Sequence, residues 1–286
     1  MKRSILLVLA ASLGLAGLSQ AVAASDKEGT LEAARVPGSG PILDPQALLW
    51  ENAKAVRVAL QPQNVTTPSV TATAVNDITV RSVHNGQWLA LLLEWQDTTR
   101  DDRIVVDHFG DQVAVEFPVQ YNPAALPSPM MGSAGERVNI LQWRASFQAD
   151  LERGHDLQTR DLYPNAMTDL YPDQVLKVLD VRPYTGAVGV DNPVAKHRDS
   201  PVLDQMAEGF GSLTVKAYQF ADGKGVWKDG VWHVVITAPM ADEGSSAPRL
   251  YPGSSSVVAF AVWDGGHKEV GSRKAWSDWV PITFVK

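Results

Sequence analysis

Beyond about residue 46 the apolar residues come in short runs, alternating or β-branched in character, and nearly every run ends at a turn-forming pair. Such runs lie at 55–60, 77–83, 88–95 and 112–117, and again at 213–220, 231–237, 256–263 and 279–285. Residues 77–83 alternate apolar and polar side chains, which is the period of a strand with one face in a core. Residues 88–95 are apolar almost throughout, as expected of a strand buried on both faces. His84-Asn85-Gly86-Gln87 sits between these two runs and signals a hairpin, because Asn and Gly accept the left-handed backbone of tight turns. Asp222-Gly223, Asp229-Gly230 and Asp264-Gly265-Gly266 punctuate the C-terminal half in the same way. Many short strands with regular turns indicate an antiparallel sandwich or barrel. The expected fold is mainly β, an antiparallel β-sandwich with a few helices. The stretch 144–210 breaks the pattern with Tyr163-Pro164, Tyr171-Pro172, scattered charges and helix-like pieces such as 201–208. It reads as a long middle insertion or covering segment, not a second domain.

The N-terminus reads as an address. Lys2 and Arg3 precede an uncharged apolar stretch at 5–18, and Ala21-Val22-Ala23 gives a small-x-small cleavage pattern, so residues 1–24 are expected to be a cleaved signal peptide. The apolar stretch falls short of the roughly 20 residues that span a bilayer, and no second long apolar run follows it, so no membrane span is expected. The mature protein is expected in a periplasm. Residues 25–45, polar and rich in Gly and Pro, read as a flexible lead-in to a domain at 46–286.

Two global features exclude function classes. The formal net charge is −7, and removal of the leader takes away two further positive charges, which argues against nucleic acid or anionic membrane surfaces as partners. There is no cysteine. Disulfides, c-type haem attachment, cysteine-ligated iron–sulfur clusters and thiolate zinc sites are therefore excluded. Any redox cofactor must be held without thiolates. The common catalytic signatures, among them Gly-x-Ser-x-Gly, His-Glu-x-x-His and the phosphate-binding glycine loops, are not found, which removes the usual reasons to propose an enzyme.

Two segments concentrate residues suited to a cofactor. One is Pro129-Met130-Met131-Gly132-Ser133 followed by Val138-Asn139-Ile140-Leu141-Gln142-Trp143. The other is Ala261-Val262-Trp263-Asp264-Gly265 followed by Arg273-Lys274-Ala275-Trp276-Ser277-Asp278-Trp279. Leu93-Glu94-Trp95-Gln96-Asp97, Phe109-Gly110-Asp111-Gln112-Val113-Ala114-Val115, Gly223-Lys224-Gly225-Val226-Trp227 and Gly230-Val231-Trp232 accompany them in order. Together these pieces resemble the haem b-binding γ subunit of the periplasmic type II DMSO reductase-family molybdoenzymes, the ethylbenzene and dimethyl-sulfide dehydrogenase and chlorate and selenate reductase group. The resemblance spans roughly residues 45–286.

That resemblance implies one haem b, held inside a β-sandwich by a methionine sulfur and a lysine amine. Carried over, the axial ligands are Met131 and Lys274, with Met130 the alternative to Met131 because neighbours on a strand face opposite sides. Trp143, Trp263 and Asn139 would border the cofactor, with Trp276 and Trp279 also candidates for the wall. Arg144 and Arg273 are candidates for pairing with its carboxylates. A thioether favours Fe(II), and a lysine ligates only as the neutral amine, which burial promotes. With both axial positions filled by protein the haem passes electrons and binds no reactant. The implied partners are a molybdopterin-containing catalytic subunit, an iron–sulfur subunit and an external cytochrome c or similar carrier, with this chain a non-catalytic electron-transfer subunit.

Plainer readings compete residue by residue. Paired methionines commonly fill cores, a lone lysine is commonly solvated, and tryptophans fill large β cores. His267 is the histidine to watch as a rival ligand, whereas His233 reads as a satisfied core residue. Asp97 with Asp101 and Asp102 is a metal-friendly cluster on paper but reads better as a solvated loop. A free-standing periplasmic haem b carrier and a Trp-rich carbohydrate-binding β-sandwich module remain alternative functions.

Overall fold

The computed structural model describes residues 29–157, 159–165, 192, 194, 198–241 and 247–286. The expected leader at 1–24 and residues 166–191 of the middle stretch lie outside them. The strands are β1 (Leu31–Arg35), β2 (Val56–Ala59), β3 (Gln61–Pro62), β4 (Asp77–His84), β5 (Trp88–Gln96), β6 (Gln112–Pro118) and β7 (Val138–Arg144). After the helices α1 (Ala145–Arg153) and α2 (Thr159–Leu162) come β8 (Val202–Ala207), β9 (Thr214–Val215), β10 (Asp222–Lys228), β11 (Val231–Pro239), β12 (Ser255–Trp263), β13 (Ala275–Trp276) and β14 (Val280–Phe284). They hydrogen-bond along one path, β10-β11-β5-β4-β1-β14-β12-β6-β7-β8-β9.

That path folds back on itself into two facing layers. Leu91 and Leu93 of β5, Val113, Val115 and Phe117 of β6, Leu141 and Trp143 of β7, and Trp232, Val234 and Ile236 of β11 share one buried cluster. Trp143 meets Trp232 edge to face at 5.0 Å, and a Cβ added to Gly225 of β10 would overlap the Trp143 indole. Gly225 is thus a glycine because an indole from the opposite layer lies against its backbone. The two layers are tied together at β1, whose Leu31, Glu32 and Ala33 pair with β14 and whose Ala34 and Arg35 pair with β4.

The mainly β sandwich expected from the run-and-turn pattern is the fold observed, with four local differences. Residues 25–45, expected as a flexible lead-in, contain β1, and Leu31 and Ala33 are fully buried in the core. Both pairings of β1 are parallel, a departure from a purely antiparallel sheet. Residues 201–208, expected to be helix-like and part of a covering segment, form β8, because Val202 to Ala207 pair with Trp143 to Val138 and are buried on both faces. The run at 213–220 contributes only the two residues of β9. The hairpin at 84–87 is as expected, with Gly86 at φ 90° between β4 and β5. No helix among the described residues is long and apolar enough to cross a membrane.

Candidate cofactor site

Strand alternation gives the layer β12-β6-β7-β8 two different faces. Val113, Val115, Phe117, Leu141 and Trp143 point into the sandwich core. Ala114, Ile140, Ala261 and Trp263 point to the other side, where Met131, Trp276 and Trp279 pack on them. On this outer face lies a cavity of about 700 Å³, within the range typical of cofactor pockets. Its lining includes Met130, Met131, Ile140, Trp263, Phe109 and Lys274, with Arg144 and several amides. Ile104, Phe210 and Leu213 line it too and remain partly exposed to solvent.

The turn that carries the methionines is tightly determined. The Gly132 N–H donates to Ser128 O at 3.0 Å, Ser133 and Glu136 exchange two hydrogen bonds, and the Gly209 N–H donates to Met131 O at 2.7 Å. The Met131 N–H donates to Glu116 Oε2 at 3.3 Å. These bonds hold Met131 at φ 69°, a left-handed conformation uncommon for a side chain of this kind. Gly132 is also left-handed at φ 76°, and a Cβ there would come within 2.7 Å of Glu136 O. Because residues 130 and 131 lie in this turn and not on a strand, they do not face opposite sides. Both line the cavity, and the alternation argument for choosing between them does not apply.

Lys274 enters from the residue just before β13. Its Nζ stands 5.2 Å from the Trp263 ring centroid and makes no hydrogen bond among the described residues. Burial pushes the ammonium pKa down, opposed by the Glu116 carboxylate. Burial likewise pushes Glu116 up, opposed by Lys274, and Glu116 Oε1 has no hydrogen-bond partner. Glu116 escaped the sequence reading. Its face is legible only once β6 alternation is tied to a register, which sets it opposite Ile140 and Ala259.

A connected amide network forms the polar floor. Gln142 Nε2 donates to Gln112 Oε1 at 2.7 Å, Gln205 Nε2 donates to Gln142 Oε1 at 2.9 Å, and Arg144 Nη2 donates to Gln142 Oε1 at 3.0 Å. None of these three glutamines was singled out in the sequence, since a lone glutamine carries no motif. Trp143 and Asn139, expected beside the cofactor, are not at this cavity. Odd-numbered residues of β7 face the core, so Trp143 packs on Trp232, and Asn139 Nδ2 donates to Asp204 Oδ1 at 2.6 Å. Among the predicted site residues the structure therefore brings together Met130, Met131, Arg144, Lys274 and Trp263, whereas Arg273 is not on the lining itself. His267 does not line the cavity: its ring is mostly exposed and held by Asp264 at 2.9 Å. His233 pairs with Glu94 at 2.7 Å.

Behind one end of the cavity, Asp97 is buried, not solvated, and faces Asp111 and Asp264 instead of Asp102. The three carboxylates each offer an oxygen within 4.8 Å of the others. Burial pushes Asp97 up from 3.8 to about 6 and Asp111 from 3.8 to about 8. Asp111 accepts from the backbone N–H groups of Asp101 and Gly265 and from Trp232 Nε1, so it pins two loops and the core together. Raised carboxyl values mean that the folded chain keeps protons the unfolded chain has released. The stability linked to them is complete below about pH 4 and is lost as pH climbs through 6 and then 8. The melting temperature is expected to fall between pH 5 and pH 9, on the order of 5 °C. Asp97→Asn, which keeps the oxygen that accepts from Thr99, should flatten the lower part of that decline. Circular-dichroism melts across the range check both, and a melting temperature that rises with pH would refute the protonated cluster.

The model of the family described as ethylbenzene dehydrogenase matches residues 47–275. The chlorate reductase subunit gamma of Ideonella dechloratans is 24% identical over 282 residues, covering 98% of this chain and 94% of that protein. A provisionally named respiratory nitrate reductase heme subunit, ORF7, of Haloferax mediterranei is 24% identical over 241 residues, covering 84% of this chain and 67% of its own length. The dimethylsulfide dehydrogenase subunit gamma of Rhodovulum sulfidophilum is 25% identical over 244 residues, covering 83% and 73%. Among solved structures, a family 9 carbohydrate binding module from Caldicellulosiruptor kristjanssonii, in complex with glucose, overlaps 89% of this chain and 94% of its own at 9% identity, with a TM-score of 0.39.

Proposed function

The chain belongs to the ethylbenzene dehydrogenase family, and from that premise we propose that it is a non-catalytic electron-transfer subunit carrying one low-spin haem b. It relays electrons between the iron–sulfur clusters of a periplasmic molybdenum oxidoreductase and an external cytochrome. Three relatives with gamma-subunit or heme-subunit names support the subunit role. The observation that carries the haem reading is the convergence of thioether and amine side chains on one apolar cavity, from segments more than a hundred residues apart. The residues present fit the group. The wall is apolar, the Lys274 amine has no hydrogen-bond partner among the described residues, and Glu116 Oε1 is buried without one.

Met131 and Lys274 are the iron ligands in this reading, and Trp263 packs beside the lysine. The haem supplies a reversible one-electron change at the iron. The protein's part is to hold and insulate it. Burial draws Lys274 towards its neutral, ligating form, while Glu116 pulls the other way. Trp263 and Ile140 give the cavity an apolar wall. If Met131 and Lys274 both held the iron, it would have no place for substrate, and the chemistry of the complex would reside on another subunit. Isolation of this chain from native extract under mild conditions should recover a molybdenum-containing subunit and an iron–sulfur subunit with it. Elution as a lone haem protein would favour the free-carrier alternative and contradict the subunit role.

A further inference from the structure

Four described arginines are partly buried: Arg81, Arg144, Arg198 and Arg273. Two of them have carboxylate partners: Arg81 pairs with Glu94, and Arg198 with Asp150 and Asp156. Arg144 and Arg273 have no carboxylate within ion-pair distance among the described residues, although the charge of Asp107, which Lys268 already pairs, is felt at Arg273. The Nε of each is buried and has no acceptor. Each guanidinium lies against an aromatic ring, Arg144 over Phe147 at 5.1 Å and Arg273 over Phe109 at 5.7 Å. A ring contact orients the planar group but leaves its N–H edge free to donate. A buried cation without a counter-charge is costly unless an anion arrives to satisfy it.

Arg144 lines the cavity, and Arg273 lies over Phe109, a lining residue, between Ser272 and Lys274, which line it too. Arg144 stands opposite Gln112 in the β6–β7 register, and Gln112 Nε2 donates to Gly110 O. Phe109, under Arg273, is the neighbour of Gly110, and both line the cavity. Resting on the haem reading above, we infer that Arg144 and Arg273 bind the two carboxylates of the porphyrin, one each, and so set which edge of the cofactor lies at the segment 109–112. The amide chain through Gln142 holds Arg144 in place for that task. Arg suits the role because its fork of N–H donors matches a carboxylate.

The test uses apo-protein titrated with two probes, iron protoporphyrin IX and its dimethyl ester, which has no free carboxylate. Wild-type protein should bind the diacid at least tenfold more tightly than the ester, as expected when charge-assisted hydrogen bonds are lost. Arg144→Gln and Arg273→Gln should each shrink that preference, and the double variant should abolish it while keeping the low-spin absorption of bound ester. Arg144→Lys, which keeps the charge, should retain part of the preference. Equal affinity of the wild type for both probes overturns the inference without any variant, so misfolding of a variant does not decide the outcome. An undiminished preference in the well-folded double variant also overturns it. Failure of the wild type to bind either porphyrin overturns the haem reading itself, and that result is distinct from the other two.

Discussion

Lys274→Ala should convert the low-spin haem spectrum of this protein to a high-spin one, or abolish haem retention altogether. The Lys274 amine lies on the cavity with no hydrogen-bond partner among the described residues, in surroundings that lower its proton affinity. An amine so placed contributes nothing to stability that would account for its burial, and ligation would account for it. The fold should survive the change, because the hydrogen bond from the Gln63 N–H goes to the Lys274 backbone oxygen, which alanine keeps. Met131→Ala should have the same spectral effect. Its backbone is fixed in a left-handed turn by hydrogen bonds at both its N–H and its C=O, and such strain persists where the surroundings over-determine it. Met130→Ala should change the spectrum little, although its side chain reaches the same cavity. Optical and electron-paramagnetic spectra of the three variants measure this. An unaltered low-spin signal in Lys274→Ala or Met131→Ala would remove that residue from the ligand pair.

The second large effect is on stability and lies on the core face of β7, opposite the face whose Ile140 and Gln142 line the cavity. Trp143→Ala should cost about 3–5 kcal/mol, as large-to-small changes in tightly packed cores do. Gly225→Ala alone should cost about 2 kcal/mol or more, because its methyl has nowhere to go while the Trp143 indole is in place. Combined, the two should cost less than their sum, since removing the indole makes room for the methyl. Urea unfolding of the single and double variants measures the coupling, and strict additivity would show that the two layers do not meet at this point. The milder Trp143→Phe should leave the haem spectrum unchanged, because residue 143 faces the core and not the cavity.

These two experiments also mark where sequence reading succeeded and failed. Alternation in residues 77–83 and the Asn85-Gly86 turn specify β4 and its hairpin locally, with no need of distant information. The role of β1 was not legible, since five residues in a polar stretch acquire strand geometry only from pairing with β14 and β4, far away in sequence. The reading of 201–208 as helix-like failed for the same reason: β8 is a strand because β7 lies beside it. At the cavity, Met131, Lys274 and Trp263 are residues to which the resemblance of ordered motifs points, and the fold places all three on its lining. Trp143 and Asn139 came along as neighbours in the same motif, and the pleat then separated them from Ile140 and Gln142. Glu116 and the glutamine floor needed register to be seen at all.

Haem content is the quantity on which the rest depends. The mature protein, produced with ample porphyrin supply, should contain one acid-extractable, non-covalent haem per chain and give a sharp low-spin b-type difference spectrum on reduction with dithionite. A colourless preparation from the same expression, with no optical response to the reductant, would contradict the assignment of this cavity to an electron-carrying haem.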